Sequence, residues 1–223
     1  MREHDYEPIP GLPERLPAGE KMLWQGKPDW RVLAERAFHV REFALYFGLF
    51  LSARGVVAFL DGEGSVMALF SALAVAPLAA AGTGIILLFA WLTARSTIYT
   101  ITDRRLVLRF GVAIQICVNL PFRQVDSVAL KLFKSGHGDL PLTLKGATEL
   151  TYAHLWPHAR PWKLARPVPM MRSIPDANRG GVLLVDAMTH ALREEDESAS
   201  GVKETRTSAS VVGVGGGEVR AFG

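Results

Sequence analysis

The chain has 223 residues, a formal charge of +3 and a single cysteine, Cys117. One cysteine excludes an internal disulfide framework and is typical of a reducing compartment. The lysines and arginines form no run interleaved with aromatic residues, so the sequence does not predict a nucleic-acid partner.

Residues 1–42 are predicted to form a lead-in on the cytoplasmic side of a membrane. Five prolines among the first 28 positions favour an extended and mostly irregular backbone. Residues 21–25 form a short strand-like run, and residues 31–41 fit a short helix lying at the membrane interface.

Two apolar stretches follow, residues 43–60 and 66–92, and an acidic turn separates them. The second stretch has no charged residue over 27 positions, a length of about 40 Å at roughly 1.5 Å per helical residue. That length exceeds the hydrocarbon core of about 30 Å, so the stretch can span a bilayer with some tilt. Residues 43–94 are therefore predicted to form a two-helix transmembrane hairpin.

The distribution of charge predicts the orientation of this hairpin. Asp61 and Glu63 lie in the turn, whereas basic residues flank both apolar stretches. Because basic residues near membrane spans stay on the cytoplasmic side, both termini are expected in the cytoplasm. Three arginines that follow the second stretch are placed to contact anionic lipid headgroups: Arg95, Arg104 and Arg105.

Small residues recur at every fourth position of the second stretch, which places them on one ridge of a helix. A shorter set occupies positions 44, 48 and 52 of the first stretch. Either the two sets pack on each other within the hairpin, or the ridge contacts another membrane protein or a second copy of this chain in a homodimer. Pro77 and residues 82–84 are predicted to let the second helix bend. The ridge consists of Ala68, Ala72, Ala76, Ala80 and Gly84.

Arg54 lies inside the first apolar stretch, where a charged side chain is costly. Its long side chain is expected to reach the outer interface near Asp61 or Glu63. The alternative is that Arg54 pairs with an acidic group or a pigment carbonyl of a partner.

After residue 95 the hydrophobic period changes from helical to alternating, which is typical of half-buried antiparallel strands. About six strands are predicted between residues 97 and 156, followed by a helix with Leu184, Ala187 and Met188 on its apolar face. The prediction is an α+β membrane protein in which residues 95–195 form an antiparallel β barrel or sandwich closed by a C-terminal helix. Residues 196–223 have the composition of a disordered tail.

Residues 152–162 concentrate aromatic, histidine and proline side chains. Tryptophan, tyrosine and arginine dominate binding hot spots, and the rigidity of proline lowers the entropy lost on binding. We therefore predict a docking surface in this segment, and the alternative is that Trp156 closes the core of the barrel. The predicted docking residues are His154, Trp156, Pro157, His158, Pro161 and Trp162.

No sequence pattern predicts catalysis, a cofactor or a metal site. His154 and His158 are four positions apart, but Pro157 between them disfavours ligation of a metal from one helical face. The glycine-rich run at residues 213–217 lacks the Gly-Lys-Ser/Thr of a phosphate-binding loop. The chain is therefore not expected to be an enzyme.

Four segments resemble known families. Residues 99–111 (YTITDRRLVLRFG) and 120–128 (LPFRQVDSV) resemble bacterial pleckstrin-homology domains, which commonly follow a membrane hairpin. Residues 16–29 (LPAGEKMLWQGKPD) and 154–167 (HLWPHARPWKLARP) resemble the PuhB family of photosynthetic-complex assembly proteins of purple bacteria.

The second resemblance implies a non-catalytic assembly factor, a scaffold or chaperone, in the bacterial inner (intracytoplasmic) membrane. The implied partners are polypeptides of the photosynthetic reaction centre and of the light-harvesting 1 antenna, together with membrane lipid, and no cofactor is implied. The rival interpretation is a lipid-sensing or signalling membrane protein whose pleckstrin-homology-like domain binds headgroups.

Overall fold

The computed structural model describes residues 11–12, 14–146 and 150–212. It combines helices with antiparallel strands, as the α+β prediction requires. The helices are α1 (Trp30–Arg36), α2 (Val40–Leu60), α3 (Gly64–Leu73), α4 (Ala76–Ser96), α5 (Tyr152–Leu155) and α6 (Ala177–Val212). The strands are β1 (Met22–Gly26), β2 (Ile98–Thr102), β3 (Arg105–Phe110), β4 (Ile116–Pro121), β5 (Val125–Val128), β6 (Lys131–Leu132), β7 (Gly138–Leu144) and β8 (Met170–Ile174).

The first apolar stretch forms α2, and the second forms α3 and α4. The turn before α3 contains Gly62, whose φ of 83° is rarely adopted by residues with a side chain. α3 ends before Ala74 and Val75, next to Pro77, which lacks the N–H that an uninterrupted helix needs. The helix is interrupted next to Pro77, where a bend was predicted, whereas α4 runs without interruption through residues 82–84.

The apolar helices have mostly exposed surfaces. α2 and the α3–α4 unit are each long and apolar enough to cross a membrane. Large side chains such as Leu45, Leu49 and Leu60 are exposed along them. A surface helix of a soluble domain would bury its apolar stripe against the core. The hairpin therefore presents a broad apolar surface of the kind that marks a membrane or protein contact.

α1 is shorter than the interfacial helix predicted over residues 31–41. The Asp29 carboxylate caps it by accepting the N–H groups of Arg31 and Val32 at 2.8 and 3.2 Å. Leu33 is fully buried, and α1 packs on α4 and β8. The segment is thus part of the folded body, and it joins the apolar hairpin to the sheets.

The first sheet has the antiparallel order β1-β2-β3-β4. β1 lies in the strand-like run predicted near residues 21–25, and it pairs with β2, with Gln25 opposite Thr100. Just before β1, the Glu20 carboxylate accepts two hydrogen bonds from the Arg105 guanidinium, at 2.7 and 2.6 Å. The lead-in therefore supplies an edge strand to the sheet that follows the hairpin.

The second sheet is built around β7. β5 and β6 follow one another along one side of β7, and β8 pairs with its other side. A 3₁₀ turn at Phe122–Gln124 connects the two sheets between β4 and β5. The six strands predicted between residues 97 and 156 are present as β2 to β7, whereas β8 lies in a proline-rich passage where no strand was predicted.

The core lies between the two sheets and α6. Tyr99, Phe110 and Leu142 are among its fully buried side chains. The predicted apolar face of the C-terminal helix is confirmed, since Leu184 and Ala187 are buried in the same cluster. Over the described residues the strands form two separate sheets, so the sandwich alternative fits and the closed barrel does not.

α6 extends further than predicted. A disordered tail was predicted from residue 196, but the helix continues to Val212. Helical backbone hydrogen bonds are satisfied within the segment, so a helix can extend beyond its contacts with a core. The rest of the predicted tail, residues 213–223, lies outside the described residues.

Candidate functional site

The predicted docking segment ends in a loop at residues 161–167 (the aromatic loop). Two backbone hydrogen bonds hold its base: the Met170 N–H donates to the His158 carbonyl at 2.7 Å, and the Arg160 N–H donates to the Val168 carbonyl at 2.9 Å. One antiparallel bridge lies between these two pairs. The base of the loop therefore continues the backbone pairing of β8.

The tip of the aromatic loop is exposed and apolar. Trp162 is 93% exposed and Leu164 is 67% exposed. Trp162 has a φ of 64°, in the left-handed region that bulky residues seldom adopt. Such a conformation costs about 1–3 kcal/mol and persists only where the surrounding structure imposes it. The loop therefore holds a tryptophan away from the core at a conformational cost, which is typical of functional surfaces.

His158 anchors the segment from inside the core. The Thr97 hydroxyl donates its hydrogen to the Thr93 carbonyl at 2.7 Å. The Thr97 hydroxyl oxygen therefore accepts the N–H of His158 Nε2 at 3.1 Å. The ring is then unprotonated at Nδ1, which accepts the Tyr99 O–H at 2.8 Å. The Tyr99 hydroxyl oxygen in turn accepts the backbone N–H of Arg172 at 3.1 Å. Hydrogen-bond partners thus assign the Nε2 tautomer.

The side chains of His158 and Tyr99 in this network are both uncharged. Burial, and then the charge of Arg172, lowers the pKa of His158 to about 3. Burial also raises the pKa of Tyr99 well above its usual range. A neutral, fully bonded histidine in a core fixes its own segment to the strand that it binds and does not carry charge to a partner. Therefore His158 positions the segment and does not form part of its outer surface.

The remaining predicted docking residues fall into two groups. Pro157 is buried beside His158, whereas His154 and Pro161 are exposed. Trp156 is 52% exposed, and its ring lies edge-on to Phe38 with centroids 5.6 Å apart. The alternative in which Trp156 closes the core does not hold.

The neighbouring Leu155, and not Trp156, contributes to the core, and it is fully buried. The exposed candidates that remain from the predicted set are His154, Trp156, Pro161 and Trp162. Leu164 of the same loop does not stand out in the sequence, because a single leucine between lysine and alanine follows no periodic pattern.

Part of the predicted small-residue ridge packs inside the hairpin. Ala68 of α3 is buried and lies against α2. A Cβ atom placed on Gly55 of α2 would lie 3.2 Å from the Ala72 Cβ. Small side chains therefore allow close approach of α2 and α3, in agreement with packing within the hairpin.

The rest of the ridge does not continue along the same face. Ala76 is half-buried, whereas Ala80 and Gly84 are exposed, and a Cβ on Gly84 would meet nothing within 4 Å. In a helix of 3.6 residues per turn, positions four apart drift by about 40° at each step, so a set that starts at Ala68 has turned to another face by Gly84. Contact of Ala80 and Gly84 with a partner stays a prediction.

Arg54 contacts neither of the acidic residues proposed for it. Its Nη2 donates to the Ser71 hydroxyl of α3 at 3.1 Å; Arg54 is exposed and Ser71 is half-buried. This hydrogen bond joins the two arms of the hairpin. Pairing of Arg54 with a partner group stays a prediction.

The three predicted headgroup arginines are not brought together. Arg95 is exposed at the end of α4, with its guanidinium 5.2 Å from the Trp91 ring centroid. Arg104 and Arg105 lie at the opposite end of β2, a strand of five residues, which is about 17 Å at roughly 3.3 Å per residue. Arg105 is bound to Glu20. Of these arginines, Arg95 lies next to the apolar hairpin.

Among the residues that the structure describes, no three His, Cys, Asp or Glu side chains gather into a group that could hold a metal ion. The polar network of the site consists instead of one histidine with hydroxyl and backbone partners. Its chemistry is structural, since each of these hydrogen bonds fixes a strand or a side chain.

The fold and the site can now be compared with known proteins. The family model for the bacterial PH domain matches residues 47–179, which run from α2 through the sheets to the start of α6. This chain belongs to the bacterial PH domain family. The matched region includes most of the apolar hairpin and the strands β2 to β8, whereas β1 precedes it.

A curated relative extends the comparison to most of the chain. It is 40% identical over 198 residues, which cover 87% of this chain and 92% of the relative. Its description is "Uncharacterized 23.7 kDa protein in puhA 5'region", from the purple bacterium Rhodobacter capsulatus. No solved structure matches this chain.

Proposed function

We propose that this protein is a non-catalytic membrane assembly factor for the photosynthetic reaction centre and the light-harvesting 1 complex. The observation that carries the proposal is the 40% identical relative described by its position in the puhA 5' region. The resemblance of residues 16–29 and 154–167 to photosynthetic-complex assembly proteins supports the same conclusion.

The proposed location is the bacterial inner membrane, with the hairpin spanning the bilayer. Exposure of the apolar side chains along α2, α3 and α4 supports insertion, because lipid would cover this surface. Basic residues flank the hairpin and acidic residues occupy its turn, so we place both termini and the sheets on the cytoplasmic side.

The aromatic loop is the proposed contact with reaction-centre or antenna polypeptides. Trp162 offers a large apolar surface that is already exposed, and the paired base of the loop limits its freedom. Pre-organisation of this kind reduces the entropy lost on binding. A tryptophan in such a position is a common interface hot spot.

The direct experiment is affinity purification of the tagged full chain, in mild detergent, from cells grown phototrophically. We expect reaction-centre or light-harvesting 1 polypeptides to co-purify, and a tagged protein with an unrelated membrane hairpin should recover neither. Recovery of lipid alone, or of an untagged second copy alone, would contradict the assembly role.

A second candidate function is recognition of lipid headgroups. The arrangement of Arg95 beside Trp91 at the end of α4 favours it, since a basic and an aromatic side chain together suit the membrane interface. In that case the purified protein would be enriched in anionic lipid and would carry no photosynthetic polypeptides.

A further inference from the structure

One charged side chain interrupts the apolar surface of the hairpin. Arg54 is the twelfth of 18 residues in the first apolar stretch, and it is exposed. Leu60, at the nearer end of that stretch, is six residues away, which is about 9 Å at roughly 1.5 Å per helical residue. A charged side chain at such a depth in a membrane is costly, so it is usually paired and marks a functional site.

The Arg54 side chain stays at the depth of its own backbone. A Cβ atom on Gly55 would lie 3.2 Å from the Ala72 Cβ, so this part of α2 is level with the last turn of α3. Arg54 Nη2 donates to the Ser71 hydroxyl in that turn at 3.1 Å. Ser71 follows Glu63 of the acidic turn by eight residues, about 12 Å along a helix. The guanidinium is therefore held inside the apolar zone and does not reach the acidic turn.

Within the described residues this cation has no counter-charge. A guanidinium carries five N–H donors, and Ser71 accepts a hydrogen bond from one nitrogen of the Arg54 group. The closest acidic residues in the sequence, Glu42 and Asp61, lie beyond either end of the first apolar stretch. A hydroxyl oxygen is neutral, so it leaves the positive charge uncompensated. A complete site requires an acidic group from outside the chain.

Apolar side chains surround Arg54 on its side of α2. Phe50 and Val57, four residues before and three residues after it, are 43% and 57% exposed, and on a helix these positions adjoin it. A membrane helix that packs on this surface would replace lipid and would meet the guanidinium directly. A carboxylate is the best partner for the guanidinium, because it accepts two parallel N–H groups and neutralises the charge.

We propose that Arg54, positioned by Ser71, binds an aspartate or glutamate carboxylate in a membrane-spanning helix of another protein. A second copy of this chain does not offer that group, since residues 43–60 and 64–96 contain neither Asp nor Glu. The depth of the guanidinium also separates it from lipid phosphates, which lie at the interface. The inference rests on the proposed function, and it adds a contact inside the bilayer to that of the aromatic loop.

The test uses p-benzoylphenylalanine, a photoreactive amino acid, in the tagged full chain of phototrophically grown cells. Val57→p-benzoylphenylalanine places it beside Arg54. Val56→p-benzoylphenylalanine is the matched control, because Val56 is equally exposed but lies on the other side of the helix. After irradiation, mass spectrometry identifies the cross-linked polypeptide and the peptide within it. We expect the probe at Val57 to reach a membrane-spanning segment that contains Asp or Glu, and the probe at Val56 not to reach it.

Substitutions in the presence of the Val57 probe then test the charge. Arg54→Gln removes it, and we expect the cross-link yield to fall at least about tenfold, as on loss of a buried charge pair. Arg54→Lys keeps the charge but not the planar fork, so its yield should lie between the two. Arg95→Gln removes the same charge at the end of α4 and should change the yield less than about twofold. Immunoblots of membranes check that each variant accumulates.

A charge exchange decides the case even where Arg54→Gln accumulates poorly. Arg54→Glu, combined with arginine in place of the mapped carboxylate, should restore the yield that Arg54→Glu alone loses. Equal yields with Arg54 and with Arg54→Gln, no rescue by the exchange, or cross-links confined to lipid or to a second copy would overturn the proposal.

The outcomes for this site and for the assembly role are distinct. An acidic span in a polypeptide outside the reaction centre and the antenna, together with rescue, would support the site and contradict the assembly role. Co-purification of photosynthetic polypeptides without a cross-link at Val57 would contradict the site and leave the assembly role intact.

Discussion

Trp162 and His158 lie four residues apart in one segment, yet one side chain is 93% exposed and the other is fully buried. The difference arises from their partners. His158 meets Thr97 and Tyr99 in the core, whereas Trp162 lies beyond the last backbone pair at the base of the aromatic loop. One residue fixes the segment to the sheets, and the other lies at the surface.

Replacement of Trp162 by alanine is expected to reduce accumulation of the reaction centre or antenna while the variant itself reaches normal membrane levels. Loss of an interface tryptophan costs about 2 kcal/mol or more, which is nearly thirtyfold in affinity. Immunoblots of both the variant and the photosynthetic polypeptides measure this. Trp30→Ala removes an exposed tryptophan outside the loop and serves as the control. A parallel collapse of the Trp162→Ala protein would mean that the residue is structural.

The neutral His158 predicts a pH dependence of stability. The pKa of His158 is lowered from 6.5 to about 3 in the folded chain, so between these pH values the unfolded chain binds a proton that the folded chain does not. Stability contributed by His158 is therefore present above about pH 6.5 and is lost as pH falls, by up to about 1.4 kcal/mol per pH unit.

The measurement is thermal unfolding of the detergent-solubilised chain between pH 4 and 8, beside His158→Gln. The variant should be less stable at pH 8, because glutamine fills the imidazole site imperfectly. Its deficit should narrow as the pH is lowered, since glutamine does not titrate. A deficit that stays constant with pH would mean that His158 is not held neutral.

At the scale of elements, helix packing depends on which small residues face the neighbouring helix. Ala72 packs against α2, whereas Gly84, further along the same apolar stretch, is exposed. Close approach therefore depends on Gly55 of α2, which lies opposite Ala72.

Gly55→Val should lower the stability of the hairpin by about 1–3 kcal/mol, because its Cβ would lie 3.2 Å from that of Ala72 and press the helices apart. Gly48→Val is the matched control in the same helix, since a Cβ at Gly48 meets nothing within 4 Å. The fraction that stays monodisperse after heating in detergent, measured by size-exclusion chromatography, compares the two. Equal losses would show that Gly55 is not at a tight crossing.

At the scale of the whole molecule, the hairpin and the sheets share a short and buried connection. Thr97 is the single residue between α4 and β2, and its hydroxyl binds His158 at the base of the docking segment. α1 packs on both α4 and β8. The apolar hairpin is thus linked directly to the core that supports the aromatic loop.

The orientation of the whole chain is open to a direct test. A fluorescent protein fused after Gly223 should be fluorescent, because the C-terminus is expected in the cytoplasm, where this reporter folds. Alkaline phosphatase inserted after Gly62 should be active, since that turn is expected outside. The same phosphatase fused after Gly223 should be inactive, and the opposite pattern would reverse the topology.

The sequence alone was sufficient to predict what depends on local pattern. Two long apolar stretches predicted two helices able to span a membrane, and the alternating pattern predicted about six strands in the region where β2 to β7 lie. The face of α6 that includes Leu184 was equally visible, since its period is that of a helix. Trp162, one of the predicted docking residues, is exposed in the structure.

Tertiary structure decided everything that depends on residues distant in sequence. Pairing of β1 with β2, the binding of Arg105 to Glu20 and the burial of His158 each join positions at least 59 apart. No periodic pattern encodes such contacts, because hydrogen bonds and buried charges depend on which segments meet after folding. The same reason applies to Arg36, Lys131 and Arg172, which line one cleft only because α1 and the second sheet pack together.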